Sequence, residues 1–139
     1  MNPRVLVVDD EPFIASGLQV FLEDEGMHVE CAGSGEEAVD MARDNPAYDV
    51  CIIDMRLPGM NGDTAIRALH EIRPGLQFII HTGSADYSIP EALRAIGVED
   101  KQYFAKPLLD MTPLANTGAA LASGREQTRA PASARRQKS

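Results

Sequence analysis

The chain has 139 residues, two cysteines, no tryptophan and a net charge of −8. A chain of that length buries roughly two thirds of the surface its unfolded form would expose, enough for one domain without disulfides or a structural metal. No apolar run approaches the length of a membrane span and no basic segment backed by an apolar stretch opens the chain, so a soluble, cytoplasmic protein is expected.

The charge is unevenly spread. Residues 123–139 carry five basic residues against Glu126, a net +4, which leaves −12 on residues 1–122. A body that acidic is a poor nucleic-acid binder, and no direct nucleic-acid or membrane contact is expected of it. Cys31 and Cys51 lie in apolar strand-like runs and read as small core residues, in keeping with a reducing compartment.

Arg4-Val5-Leu6-Val7-Val8 is a short apolar run that stops at Asp9-Asp10-Glu11. Pro12 suits a first helical turn, and Ile14, Leu18, Phe21 and Leu22 form one stripe ending at Gly26, a plausible C′ residue. His28 to Ala32 alternates and is less apolar, as an edge strand would be. Ser34-Gly35-Glu36-Glu37 has capping-box spacing and opens a helix through Val39, Met41 and Ala42 towards Asn45-Pro46.

Val50-Cys51-Ile52-Ile53 reads as a strand buried on both faces, with Asp54 where the run stops and Pro58-Gly59 and Asn61-Gly62 turning the chain after it. Ala65, Ile66, Leu69 and Ile72 mark a third helix, stopped near Pro74-Gly75. Gln77 to Thr82 is a fourth strand, and a short helix from about Pro90 to Ile96 ends at Gly97. Tyr103-Phe104-Ala105 is a very short fifth strand before Lys106-Pro107, and Thr112-Pro113 starts a last helix through Leu114 and Leu121. From Ser123 the composition turns to Ser, Ala, Arg and Gln, and disorder is expected there. The division is thus a domain over 1–122 and a basic tail over 123–139.

Strand and helix alternate five times with short links, which calls for a parallel sheet covered on both faces. Right-handed crossovers then favour a flavodoxin-like (βα)5 three-layer sandwich with strand order 2-1-3-4-5. Ligands of such sheets bind beyond the carboxyl ends of the strands. Those ends offer Asp9 and Asp10, Asp54, Thr82 and Lys106, from the four strands that are consecutive neighbours in that order.

Three converging carboxylates repel one another unless a cation joins them. All-oxygen ligands without His or Cys point to Mg²⁺. With an ammonium from Lys106 and a hydroxyl from Thr82, the set suits stabilisation of a phosphoryl group in transfer, with Asp54 as nucleophile.

Asp9-Asp10, Asp54 with Pro58-Gly59 and Gly62, Thr82-Gly83, and Tyr103 three residues before Lys106-Pro107 together resemble the receiver domain of two-component response regulators, the CheY-like family, over about residues 4–122. The resemblance implies that a partner histidine kinase or phosphotransfer protein phosphorylates Asp54. It implies that Asp10, Asp54 and the backbone carbonyl of Arg56 hold Mg²⁺ with Asp9 assisting through water, that Lys106 and Thr82 contact the phosphoryl group, and that Tyr103 is an aromatic switch turning inward behind Thr82. It further implies a cis Lys106-Pro107 bond. On that footing the protein is a phosphoacceptor that assists its own phosphorylation and dephosphorylation, not an enzyme. It would switch protein contacts through the helix 4–strand 5–helix 5 face towards an unknown target, or serve as a relay or phosphate sink.

Other residues carry plainer readings. His28, His70 and His81 share no ligand spacing and read as surface or packing residues, and Met55 and Met60 as gap fillers. Arg56 and Ser84, two residues after Asp54 and Thr82, stand where they would shield the phosphate from water. The connection from Gly97 to Lys106 is about two residues longer than the family's usual one, helix 4 is short, and Gly118 falls on the inner face of the last helix. These departures put the family's usual dimer through that face in doubt and leave a weak homodimer open. The residues after 122 are too few and too polar for a DNA-binding helix-turn-helix, so a stand-alone receiver or a fragment of a larger regulator is expected.

Two other classes fit less well. A phosphatase of the haloacid dehalogenase class needs a second Asp two residues after the nucleophile, where this chain has Arg56. A flavodoxin-type flavin site holds its phosphate on a Ser/Thr-rich loop after strand 1, where Asp9-Asp10-Glu11 would repel it.

Overall fold

A computed structural model describes residues 2–44, 48–83 and 87–129, the side chains of 125–129 excepted. In chain order the elements are β1 (Arg4–Val8), α1 (Pro12–Asp24), β2 (His28–Ala32), α2 (Gly35–Asp44), β3 (Val50–Ile53), α3 (Gly62–Ile72), β4 (Gln77–Thr82), α4 (Glu91–Ala95), a single 3-10 turn (Asp100–Gln102), β5 (Tyr103–Ala105) and α5 (Thr112–Arg129). The five strands form one parallel sheet in the order β2-β1-β3-β4-β5, the flavodoxin-like arrangement expected.

The apolar runs divide between the two faces by simple alternation. Leu6, Val8, Cys51, Ile53, Phe78 and Ile80 pack with Val39, Ala65, Ile66, Leu69 and Leu93 from α2, α3 and α4. Val5, Val7, Val50, Ile52 and Ile79 pack with Leu18 and Leu22 of α1 and Leu114 and Ala122 of α5. Each large aliphatic side chain so buried contributes about 1.5–3 kcal/mol. Both cysteines are free: Cys51 is fully buried, and Cys31 is half-buried with its Sγ 3.8 Å from the Ala15 carbonyl.

Local signals act as their chemistry requires. Gly26 adopts φ +92 and ends α1. Glu37 N–H donates to Ser34 Oγ at 3.0 Å, as a capping box has it, but the Glu37 carboxylate reaches back one residue further, to Gly33 N–H at 2.8 Å. Asn45-Pro46, read as the end of α2, lies outside the described residues. The long connection before β5 is folded: Glu99 and Gln102 make a reciprocal capping box around the 3-10 turn. Gln102, 2% exposed, donates through Nε2 to the Phe78 carbonyl at 2.7 Å and thereby ties the turn to β4.

One boundary differs from expectation. α5 continues to Arg129, through the first residues of the segment read as disordered from Ser123. Composition registers the loss of apolar residues there. A helix already nucleated by the packed Leu114, Ala115 and Ala122, however, adds each further residue without paying the nucleation cost again. The remainder of that segment, 130–139, lies outside the described residues.

Candidate functional site

The sheet ladder itself aligns the site. Beyond the last paired residues, Asp9 N–H donates to the Ala32 carbonyl at 3.1 Å, Asp54 N–H to Val8 at 3.0 Å and Lys106 N–H to Thr82 at 2.9 Å. Those bonds put Asp9, Asp54 and Lys106, nearly a hundred residues apart at the extremes, on one rim of the sheet. Gly62 makes the turn after Asp54 feasible: a Cβ there would stand 2.6 Å from the Asp54 carbonyl oxygen and from Met55 Cα, closer than real contacts allow.

At that rim one carboxylate oxygen from each of Asp9, Asp10 and Asp54 lies within 4.8 Å of the others. Asp9 and Asp54 are buried, at 4% and 5% exposure, and Asp10 is open to solvent. Lys106 reaches over both buried acids, with Nζ 2.8 Å from Asp9 Oδ2 and 2.9 Å from Asp54 Oδ2. Backbone donors occupy the other oxygens: Glu11 N–H bonds Asp9 Oδ1 at 2.9 Å, and Arg56 N–H bonds Asp54 Oδ1 at 3.1 Å.

The charges follow from these contacts. Burial alone would raise the Asp54 carboxyl, but the hydrogen bonds from Lys106 and Arg56 N–H and the Lys106 charge outweigh it and hold its pKa below the ordinary aspartate value. Burial pulls Lys106 down, and its bonds and charge contacts with Asp9 and Asp54 raise it above the ordinary lysine value instead. The site therefore holds a fixed ammonium on the ionised Asp54 carboxylate.

Thr82 is fully buried, and its hydroxyl is in hydrogen-bond geometry with no described residue, though it is close enough to Asp54 to favour that charge weakly. Tyr103 stands apart from the acids. It pairs with Ile80 on β4, one pleat repeat before Thr82, is half-buried, and stacks on Tyr87 with ring centroids 5.6 Å apart. The Arg56 side chain is exposed, and the Lys106-Pro107 peptide is cis. Ser84 lies outside the described residues.

Such a rim, on this fold, is that of a known family. The family model for the response regulator receiver domain matches residues 5–116. The chain belongs to that family.

Among curated relatives of this receiver domain, the transcriptional regulatory protein AruR of Pseudomonas aeruginosa is 40% identical over 114 residues, 78% of this chain and 45% of its own. The cell cycle response regulator CtrA of Brucella ovis is 30% identical over 104 residues, 75% of this chain and 44% of its own. The receiver thus spans less than half the length of these relatives. A receiver domain structure from Clostridium thermocellum superposes with a TM-score of 0.78 at 28% identity, covering 91% of this chain and 98% of that one. A CheY-like receiver from Methanospirillum hungatei gives 0.78 at 27% identity, covering 92% and 99%.

Four residues of the receiver were not singled out for the site by sequence. Glu11, whose Oε1 is 3.6 Å from Lys106 Nζ, was visible as a third acid after Asp9-Asp10. Gln102 and Tyr87 gave no periodic signal. His81, read with the other histidines as surface or packing, is buried at the end of β4 with both ring nitrogens unpartnered among the described residues. Burial first and the Lys106 charge second lower its pKa, against Asp9 and Asp54.

Proposed function

We propose that this receiver accepts a phosphoryl group on Asp54 from the phosphohistidine of a partner kinase or phosphotransfer protein, with Mg²⁺ held at the acidic rim. The observation that carries the reading is the convergence of Asp9, Asp10 and Asp54 under one lysine. The donor set suits Mg²⁺: oxygen ligands alone, an exposed Asp10 that leaves room for waters, and more negative charge than Lys106 can balance. Asp10, Asp54 and the Arg56 carbonyl are the proposed direct ligands, with Asp9 acting through water. Bound there, the ion would neutralise charge on the phosphoryl oxygens.

The chain's own residues supply the rest. An Asp54 carboxylate oxygen forms a bond to phosphorus while the phosphorus–nitrogen bond to the donor imidazole breaks, the imidazole keeping the electron pair. Lys106, already on Asp54, pairs with the incoming phosphoryl oxygens. Modification brings about −1.5 to −2 charges and three strong acceptors. The unpartnered Thr82 hydroxyl is a donor awaiting such an acceptor. Its movement, with that of Lys106 just past β5, carries the change to the α4–β5–α5 face, where Tyr103 turns and a protein target binds. The setting is the cytoplasm, and the cycle of gain and loss of phosphate is a signalling one.

The reading is tested with a small phosphoramidate as P–N donor, following the protein by phosphorus NMR. A Mg²⁺-dependent acyl phosphate resonance is expected in the parent and not in Asp54→Asn. Steady turnover of the donor without a protein-bound resonance would contradict it.

A further inference from the structure

We propose that Tyr87 is a latch on Tyr103: its ring holds the Tyr103 ring in the resting position, so a contact outside the phosphoryl site sets how readily the protein responds to modification. The inference deepens the reading of Asp54 as phosphoacceptor and Tyr103 as the residue that moves, and rests on it.

The two rings stack at 5.6 Å with their planes 26° apart, and both pack on the core cluster that includes Ile89 and Leu93. Stacking is all the more telling because the Tyr87 hydroxyl gains nothing: it is buried and has no hydrogen-bond partner among the described residues. Tyrosine hydroxyls normally find a partner when buried. The ring contact and the packing therefore hold Tyr87, not its polar end. Burial first, then the Asp63 charge and Tyr103, push its ionisation up to about 12.

Position gives the stack its consequence. Tyr103 is opposite Ile80 in the β4–β5 register, one repeat from Thr82, so it lies on the route by which a change at Thr82 reaches β5. Tyr87 is three residues before Pro90, the N-cap of α4. A Tyr103 ring that leaves its present place must surrender the stack, and the segment leading into α4 loses its aromatic partner in the same step. Aromatic pairs of this kind bias a two-state population by about two- to tenfold.

The chain's composition makes the test direct, because Tyr48, Tyr87 and Tyr103 are its three tyrosines. Labelled with fluorotyrosine, the protein gives three fluorine resonances, assigned by Tyr→Phe replacement and titrated with BeF₃⁻ in Mg²⁺. Tyr87→Leu removes the ring and keeps apolar bulk, whereas Tyr87→Phe keeps the ring and removes the unpartnered hydroxyl.

The expected result is that Tyr87→Leu displaces the Tyr103 resonance towards its BeF₃⁻ position before any BeF₃⁻ is added and lowers the midpoint about two- to tenfold, while Tyr87→Phe follows the parent. A Leu variant that matches the parent, or a Phe variant that shifts as far as Leu, overturns the latch. In unsubstituted protein, a ring-to-ring NOE between Tyr87 and Tyr103 should vanish at saturating BeF₃⁻, and its persistence overturns the latch even if Tyr87→Leu fails to fold. Failure of the underlying reading looks different: the parent itself would show no BeF₃⁻ response, or Asp54→Asn would respond as the parent does.

Discussion

Lys106 Nζ lies 2.9 Å from Asp54 Oδ2, fifty-two residues away in sequence and across two strand edges. With its side chain only 11% exposed, and the Asp9 and Asp54 side chains at 2% and 6%, Lys106 is the counter-charge that lets two buried carboxylates coexist. Lys106 thus occupies oxygens that a divalent cation would also seek.

Lys106→Met should separate these two roles. Without metal, removing one partner of a buried ion pair costs about 3 kcal/mol, read as a lower urea midpoint in EDTA. With Lys106 gone, Asp9 and Asp54 are free for a cation, so Mg²⁺ should bind more tightly and restore much of the loss by linkage. Equal Mg²⁺ affinity in parent and variant would contradict the competition.

Three groups at the rim contribute to the pH dependence of stability, two of them lost towards acid and one towards alkali. Asp54 has a lowered folded pKa, so its contribution is complete above the unfolded value of about 3.9 and is lost as pH falls through the folded one. His81 is also lowered: below about 6.5 the unfolded chain binds its proton first, and stability declines as pH falls towards the folded value. Lys106 is raised, so its contribution is complete below its ordinary value and disappears as pH rises through the higher folded one. His81→Leu should flatten the decline just below neutrality and leave the alkaline limb unchanged, as measured by urea midpoints across pH. An unaltered acid limb would remove His81 from the balance.

Two glycine-to-alanine changes should have opposite effects. At Gly118, on the inner face of α5, a Cβ meets Ile79 Cδ1 at 3.8 Å, an ordinary contact, so Gly118→Ala should stabilise by about 1 kcal/mol. At Gly62 the same atom collides with the backbone of Asp54 and Met55, and Gly62→Ala should destabilise and weaken Mg²⁺ binding together. Thermal unfolding with and without Mg²⁺ checks both.

Gln102→Leu should cost about 1–3 kcal/mol by stranding the buried Phe78 carbonyl. The expected signature is a lower urea midpoint with Mg²⁺ affinity unchanged, since the turn lies away from Asp54.

The fold and the rim were legible because the runs of β1, β3, β4 and β5 each end at a polar residue. Val8 stops at Asp9, Ile53 at Asp54 and Ala105 at Lys106, and a sheet of this order must bring those ends together. Gly62 was legible as a turn, but not as the residue that lets the chain pass over the Asp54 carbonyl. Gln102, Tyr87 and His81 were not legible as partners, because a single buried polar or aromatic residue has no period and its neighbours are set by packing alone. The length of α5 was misjudged because composition records lost burial, while helix propagation depends on the turns before it.

The most direct measurement is intact-mass analysis after incubation with acetyl phosphate and Mg²⁺, followed by borohydride, which reduces an aspartyl phosphate to homoserine. The expected result is one phosphoryl adduct in the parent, lost on chelation of Mg²⁺, absent in Asp54→Asn, and mapped by homoserine at position 54. A parent that stays unmodified under these conditions, or an adduct that persists in Asp54→Asn, would contradict the assignment of Asp54 as the phosphoacceptor.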